Sequence, residues 1–231
     1  MIKNFKFMSK IDTIIVSDVH LGSEVSRAKE LLNVLKNHNF KRLILLGDIF
    51  DDLNFNRLEK NHWELLSYIQ ELSNPKRDIK IIWVLGNHDE FIYRVISRFM
   101  GIKVFREYVW NYKNERYLAI HGHQFDRFLA DNKFISDIAS FIYRILQRFD
   151  LRFSRFIKRA SKSWLRLSEK IAQNAARHAL KNGASYVFCG HTHREAIEVI
   201  NGVNYFNVGC WTDIPSIFIT IGENGIKVHK K

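Results

Sequence analysis

The stretch TIIVSDVH, residues 13–20, places two polar side chains directly behind a short apolar run. The run is rich in β-branched residues and predicts a buried strand, so Asp18 and His20 follow the point where that strand ends. A carboxylate and an imidazole at this spacing are either metal ligands or the polar start of an ordinary turn. One such pair alone does not decide between the two interpretations.

Four further motifs repeat this arrangement. The apolar runs at 42–46, 79–85, 116–120 and 185–189 lead into GDIFDD, GNHDE, HGH and GHTH. Because ligands in open α/β sheets gather at the carboxyl ends of strands, motifs in this position predict one shared site. A turn explains each motif alone, but it does not explain five motifs that each follow an apolar run directly.

The side chains in these motifs suit two divalent transition-metal ions, with Mn²⁺ as the first choice and Fe or Zn as alternatives. Ca²⁺ is less suitable because it prefers shells made only of oxygen. The predicted ligands of one ion are Asp18, His20, Asp48 and His193, and those of the other are Asp48, Asn87, His121 and His191. Asp48 would bridge the ions. The two carboxylates neutralise only part of the charge of two dications, so the site would attract an anionic phosphate.

The pattern of elements predicts an α/β fold. RAKELLNVLKN (27–37) and LEKNHWELLSYIQEL (58–72) have helical spacing and lie between strands, which indicates a parallel sheet covered by helices. Three hairpins are predicted, one in 103–120 turning near Lys113 and Asn114, one turning at Asn201-Gly202, and one in SIFITIGENGIKVH. The prediction is a single domain over residues 1–231, a sandwich of two mixed β-sheets flanked by helices.

A long insertion separates the last two motifs, with 69 residues between His121 and His191. Residues 127–181 hold thirteen Lys or Arg against four Asp or Glu, a net charge of +9. Apolar residues follow helical spacing there, and basic residues follow one position behind. We predict a helical cap at about 126–182 that binds substrate, whereas the alternative is an ordinary amphipathic helix. The predicted substrate-binding residues are Arg152, Phe153, Arg155, Phe156, Arg159 and Lys162.

In this order, SDVH, GDIFDD, GNHDE, HGH and GHTH resemble the calcineurin-like metallophosphoesterases over about residues 13–211. The resemblance implies a two-sheet sandwich, a dinuclear metal centre, and hydrolysis of phosphoesters or pyrophosphates by water that the ions acidify. All the family's metal ligands are present. The resemblance also implies catalytic roles for His88, which would stabilise the transition state or protonate the leaving oxygen, and for Asp89, which would orient it. The alternative for Asp89 is a helix cap.

The insertion and the tail NGVNYFNVGCWTD (201–213) are similar to the UDP-2,3-diacylglucosamine pyrophosphatase branch of this family. That similarity implies an acylated UDP-sugar as substrate, cleaved to lipid X and UMP in lipid A biosynthesis. It also implies peripheral binding to the anionic inner face of the cytoplasmic membrane. The best-known members have Arg where this chain has His88, and Asp where it has His123.

Composition leaves two other function classes open. The net charge of +12 favours an anionic partner, so a nuclease or nucleotide phosphodiesterase is the second choice. A non-catalytic scaffold comes last, because a scaffold would tolerate the loss of ligands and none is lost. The chain has no signal-peptide pattern and no run near the ~20 apolar residues of a membrane span, so we expect a cytoplasmic location.

Overall fold

The architecture is seen in a computed structural model that describes residues 11–89, 92–126 and 162–231. The strands are β1 (Ile11–Val16), β2 (Arg42–Leu46), β3 (Lys80–Val84), β4 (Lys103–Phe105), β5 (Glu107–Tyr112), β6 (Glu115–Ile120), β7 (Tyr186–Cys189), β8 (Ala196–Ile200), β9 (Val203–Asn207), β10 (Ile217–Gly222) and β11 (Gly225–Lys230). The α-helices are α1 (Ala28–Lys36), α2 (Lys60–Leu72), α3 (Tyr93–Met100) and α4 (Lys162–Lys181). Short 3₁₀ helices occur at Phe55–Arg57, Pro75–Arg77 and His123–Phe125.

The strands form two mixed sheets, as the sequence predicts. The first has six strands in the order β11-β10-β1-β2-β3-β4, in which β1 to β4 are parallel and β10 and β11 are antiparallel. The second has five strands in the order β5-β6-β7-β9-β8, with β6, β7 and β9 parallel and both edge strands antiparallel. The parallel strands of each sheet present their carboxyl ends at one edge.

The three predicted hairpins are present as β5–β6, β8–β9 and β10–β11. Lys113 and Asn114 have φ values of 48° and 63°, and Asn201 and Gly202 have 52° and 81°. Two successive positive φ values are what a two-residue hairpin turn requires. One detail differs, because residues 103–105 pair in parallel with β3 rather than extending the first hairpin. The chain thus changes sheet just after Phe105.

Side chains pack in layers because successive residues of a strand point to opposite faces. Ile14 packs with α1 and α2 on the outer face of the first sheet, whereas Ile15 packs between the two sheets. Both are fully buried, which explains why β1 is apolar on both faces. On the outer face of the second sheet, α4 packs through small residues such as Ala172 and Ala176.

The described part of the predicted cap is a helix that packs on the sheet. In α4, Ile171 is buried, whereas Arg166 and Lys170 are exposed. The ordinary amphipathic helix is therefore correct for residues 162–181, because this segment covers the second sheet. Residues 127–161 lie outside the described residues, and a cap formed by them stays a prediction. No helix in the described ranges combines the length and apolar character that crossing a bilayer requires.

Candidate metal centre

The predicted ligands come together at the carboxyl ends of β1, β2, β3, β6 and β7. Among the described residues, four groups of side chains have donor atoms that all lie within 4.8 Å of one another, and two of these groups consist of predicted ligands. The first is Asp18, His20 and His193, and the second is Asp48, His121 and His191. Each contains three of the four ligands predicted for one ion, and the assignment of these residues as metal ligands stays a prediction. The other two groups are His20, Asp51 and His88, and His193, Cys210 and Asp213.

Five of these residues have a left-handed backbone. The φ values are 52° for Asp18, 49° for His20, 51° for Asp48, 66° for His191 and 55° for His193. Such values are uncommon for residues other than glycine and cost of order 1–3 kcal/mol each. They persist because neighbouring backbone groups hold the loops, for example through the bond from the Asp18 amide to the Gly47 carbonyl. Strain of this kind concentrates at functional sites.

Two glycines of the motifs lie directly against carboxylates of the site. A Cβ atom on Gly86 would overlap the Asp48 side chain, and one on Gly190 would overlap the side chains of Ser17 and Asp18. The glycine in GNHDE and the glycine in GHTH are therefore required by close approach of the backbone to the site.

In the first group, one oxygen of the Asp18 carboxylate accepts hydrogen bonds, and the other faces the rings of His20 and His193. Asp18 Oδ2 accepts hydrogen bonds from Ser17 Oγ at 2.5 Å and from the His191 amide at 3.1 Å. Asp18 Oδ1 lies 3.1 Å from His193 Nε2 and 4.0 Å from His20 Nε2. Oδ1 has no aligned hydrogen bond within the described part of the chain. The second oxygen and two ring nitrogens thus converge on one point.

In the second group, Asp48 likewise has one oxygen that accepts a hydrogen bond and one that faces an imidazole. Asp48 Oδ1 accepts the His88 amide at 2.9 Å, and Oδ2 lies 3.3 Å from His121 Nε2. His121 Nδ1 donates to the Leu46 carbonyl at 2.9 Å, which directs the lone pair of Nε2 toward the site in a neutral ring. His121 Nε2 and Asn87 Oδ1 are both buried, and neither has an aligned hydrogen-bond partner among the described residues. Buried polar atoms of this kind are expected where a ligand or ion binds.

The electrostatics of the site favour positive charge. Burial opposes the ionisation of Asp48, but the nearby imidazoles of His121 and His88 hold the pKa of Asp48 well below its usual range. Burial also disfavours the charged form of His121, yet Asp48 and Asp18 raise the pKa of His121 to about 10. Without metal, protonated imidazole supplies the positive charge that the carboxylates need. A divalent cation would supply the same charge, so these residues fit metal ions.

The sequence matches the calcineurin-like phosphoesterase superfamily domain over residues 11–216. The chain belongs to the calcineurin-like phosphoesterase superfamily. It is a phosphoester hydrolase, and enzymes of this superfamily use divalent metal ions.

Similar proteins agree with this assignment. The UDP-2,3-diacylglucosamine hydrolase of Neisseria gonorrhoeae is 26% identical over 234 residues, which covers 92% of this chain and 95% of that protein. A novel archaeal phosphodiesterase has a similar structure, with a TM-score of 0.52 and 15% identity over 95% of this chain and 99% of that chain. Yfce, a phosphoesterase from E. coli, has a TM-score of 0.53 and 18% identity over 93% of this chain and 90% of its own. Both structures support the fold.

The two predicted catalytic residues of this phosphoesterase have different surroundings. The side chain of His88 is 39% exposed, and its Nε2 lies 4.0 Å from Asp48 Oδ2. Its Nδ1 contacts the backbone carbonyl of Asp51 at 2.5 Å. A carbonyl can only accept, so Nδ1 carries a proton and Nε2 is left for the substrate. A catalytic role for His88 stays a prediction.

Among the described contacts, none joins the Asp89 carboxylate to the His88 ring. That carboxylate is fully buried and accepts hydrogen bonds from the amides of Ile49 and Phe50 and from the indole of Trp83. The prediction that Asp89 orients His88 is therefore corrected. The Asp89 carboxylate points to Ile49, Phe50 and Trp83, whereas the His88 ring points to the Asp51 carbonyl. The helix-cap alternative is not observed either, since α3 begins without a side-chain cap. Asp89 instead holds the loop that carries Asp48.

We expect Asp89→Ala to lower the free energy of unfolding by about 3 kcal/mol or more. The change leaves three buried N–H groups without an acceptor, and each such group costs roughly 1–3 kcal/mol. Urea denaturation of the metal-free protein measures the effect. Asp89→Asn is the control, because it keeps one acceptor oxygen and should lose less. Unchanged stability with lost activity would restore a catalytic role.

Three residues near the site were not predicted. Asp51 Oδ1 lies 3.3 Å from His20 Nδ1, and Asp126 Oδ2 lies 3.1 Å from His191 Nε2. Trp164 in α4 donates from its indole to the backbone carbonyl of Thr192, at 3.2 Å, and so supports the GHTH loop. Asp51 lies within GDIFDD, which was a usable signal. Asp126 follows HGH by three residues and has no feature that sequence patterns detect.

The predicted substrate-binding residues fall almost entirely outside the described residues. Lys162 is the first residue of α4. Arg152, Phe153, Arg155, Phe156 and Arg159 lie outside the described ranges.

Proposed function

We propose that this phosphoesterase hydrolyses the pyrophosphate bond of UDP-2,3-diacylglucosamine, giving lipid X and UMP in lipid A biosynthesis. The similarity to UDP-2,3-diacylglucosamine hydrolases carries the proposal, since it covers 92% of this chain and 95% of the Neisseria gonorrhoeae protein. All seven predicted metal ligands are present, which supports a hydrolytic role rather than a scaffold. The proposed location is cytoplasmic, on the anionic inner face of the membrane, where a net charge of +12 favours binding.

The residues of the two groups would hold two divalent ions, which we propose are Mn²⁺. When bound, the ions acidify water and neutralise charge on phosphate oxygens. Asp18 and Asp48 would neutralise only part of the charge of two dications, so the site would attract an anionic phosphate. Asp48 would be shared by the two ions, and the hydrogen bond from the His88 amide to its Oδ1 would hold the carboxylate in position.

His88 is the residue placed to handle a proton of the substrate. Its Nδ1 proton is directed at the Asp51 carbonyl, so the neutral ring presents a lone pair at Nε2. Only the doubly protonated ring donates from Nε2, and that form would protonate the leaving phosphate oxygen. The exposure of the ring allows a substrate to reach Nε2 directly.

The test compares two substrates after trimming two predicted contacts of the acyl chains, Phe153 and Phe156, to alanine. Activity on UDP-2,3-diacylglucosamine should fall about tenfold or more, since losing the burial of one phenylalanine costs ~1.5–3 kcal/mol. Activity on bis(p-nitrophenyl) phosphate should be retained, because a small diester needs only the metal centre. Trp63→Ala is the control, as Trp63 is 50% exposed on α2.

Two outcomes would contradict this proposal. An equal loss on both substrates would make the phenylalanines ordinary core residues. Faster cleavage of short DNA or RNA than of the acylated sugar nucleotide would favour the second candidate, a nuclease or nucleotide phosphodiesterase, to which the positive charge points.

A further inference from the structure

Each group of metal ligands contains one histidine whose second ring nitrogen faces a carboxylate outside the predicted ligand set. In the second group, His191 Nε2 and Asp126 Oδ2 are 3.1 Å apart, and the two side chains are only 8% and 3% exposed. In the first group, His20 Nδ1 and Asp51 Oδ1 are 3.3 Å apart, with exposures of 9% and 26%. The contact between His20 and Asp51 is a close ionic contact rather than an aligned hydrogen bond.

These contacts select a ring nitrogen in each histidine. An ionised carboxylate only accepts, so the nitrogen that faces it carries the proton and the other nitrogen keeps its lone pair. His191 therefore has Nδ1 available for an ion, whereas His20 has Nε2 available. His20 Nε2 does lie in the first group, at 3.3 Å from His193 Nε2 and 4.0 Å from Asp18 Oδ1.

The Asp51 carboxylate is held by an arginine, and the backbone of Asp126 is fixed by a hydrogen bond. Arg57 Nη1 lies 2.8 Å from Asp51 Oδ2 and also contacts Asp52, while the Asp51 amide donates to the Leu21 carbonyl. The Asp126 amide donates to the His123 carbonyl at 3.0 Å, at the end of the 3₁₀ helix that follows HGH. A buried carboxylate is costly unless it is paired, so the contact with the His191 imidazole favours the burial of Asp126.

We propose that Asp126 and Asp51 are positioning residues, one for each metal ion. Asp126 holds His191 with Nδ1 turned toward the second ion, and Asp51 holds His20 with Nε2 turned toward the first. Carboxylates of this kind fix the orientation of a ligating histidine and increase its basicity. The proposal rests on the metal centre of the proposed function but not on the identity of the substrate.

The test measures Mn²⁺ binding to the full-length chain after the metal has been removed, with free Mn²⁺ followed by electron paramagnetic resonance. Asp126→Ala and Asp51→Ala should each weaken one of two binding events by about 10–100-fold. Asparagine at either position should have a smaller effect, because it keeps an acceptor oxygen but loses the charge.

Double variants show which ion each carboxylate serves. Asp126→Ala should weaken Mn²⁺ binding no further in a His191→Ala background, but it should weaken the remaining site in a His20→Ala background. Asp51→Ala should behave in the opposite way. Coupling within a pair and additivity between pairs are the signature of two separate contacts. A carboxylate needed only for folding would weaken binding equally in both backgrounds, and that result would overturn the proposal.

Nitrogen NMR of the wild-type protein loaded with Zn²⁺ gives a test that does not depend on variants. His191 should bind through Nδ1 and keep a proton on Nε2, whereas His20 should show the reverse. Ligation of His191 through Nε2 would overturn the role of Asp126. Neither experiment contains substrate, so failure of the lipid assay leaves this inference standing, and failure here leaves the lipid assay valid.

Discussion

Asp48→Ala is expected to lose both metal ions and to reduce hydrolysis by about 10³-fold or more, whatever the substrate. Metal ions contribute several kcal/mol of transition-state stabilisation, and each 1.36 kcal/mol is a factor of ten in rate. Asp48 is 2% exposed, and the imidazoles of His121, His88 and His20 all lower its pKa. Its charge therefore acts on both groups of ligands.

Elemental analysis of metal-replete protein measures this effect. His20→Ala is the matched control, because His20 belongs to the first group alone and its loss should leave about one ion per chain. If Asp48→Ala retained two ions, a dinuclear centre bridged by Asp48 would be wrong. Binding of one ion or none by the folded wild-type protein would also contradict it.

His88→Asn is expected to reduce the hydrolysis rate by ~10²–10⁴-fold, the range typical of a general acid or base. Metal content and melting temperature should change little, because the ring is 39% exposed and His88 is grouped with His20 and Asp51 rather than with Asp18 or Asp48. Steady-state rates on bis(p-nitrophenyl) phosphate and on the acylated sugar nucleotide measure the effect.

His178→Asn is the control for that experiment. His178 lies on α4, is 33% exposed and pairs with Glu107 rather than with the metal centre. Its replacement should leave the rate unchanged. A wild-type rate for His88→Asn would remove His88 from the mechanism, whereas a loss of metal would show that the ring has a structural role.

Much of the site was predictable because strands and motifs are local. An apolar run followed by a polar motif identifies the end of a strand, and the carboxyl ends of parallel strands meet at one edge of a sheet. Asp18 and His193 are 175 positions apart, yet their side chains lie 3.1 Å from each other in the structure. Sequence order and strand pattern were enough to place both in one group.

Hairpins were predictable for a similar reason. Asn201-Gly202 adopts the positive φ values that this dipeptide tolerates best, so the turn is decided by the two residues themselves. The change of sheet after Phe105 was not predictable, because β4 pairs with β3 through backbone hydrogen bonds that any side chain permits.

Only the tertiary structure decided what the remaining polar groups contact. Asp89 follows His88 directly, but its carboxylate accepts from Ile49 and Phe50, which are about 40 positions away, and from Trp83 in the strand that leads into the loop. Asp126 faces His191 across 65 positions, and no local pattern specifies that pair. The direction in which each of these side chains points depends on the residues packed around it and not on the motif that contains it.

For helix α4 too, the sequence predicted one property and the tertiary structure decided another. Its amphipathic spacing was readable from the sequence, but the spacing does not say which surface the apolar face covers. Packing of Ala172 and Ala176 on the second sheet decided that question. The sequence by itself determined which residues could bind metal and where the strands end. Tertiary packing decided which nitrogen or oxygen of each residue faces the site, because those directions depend on contacts between segments that are far apart in the chain.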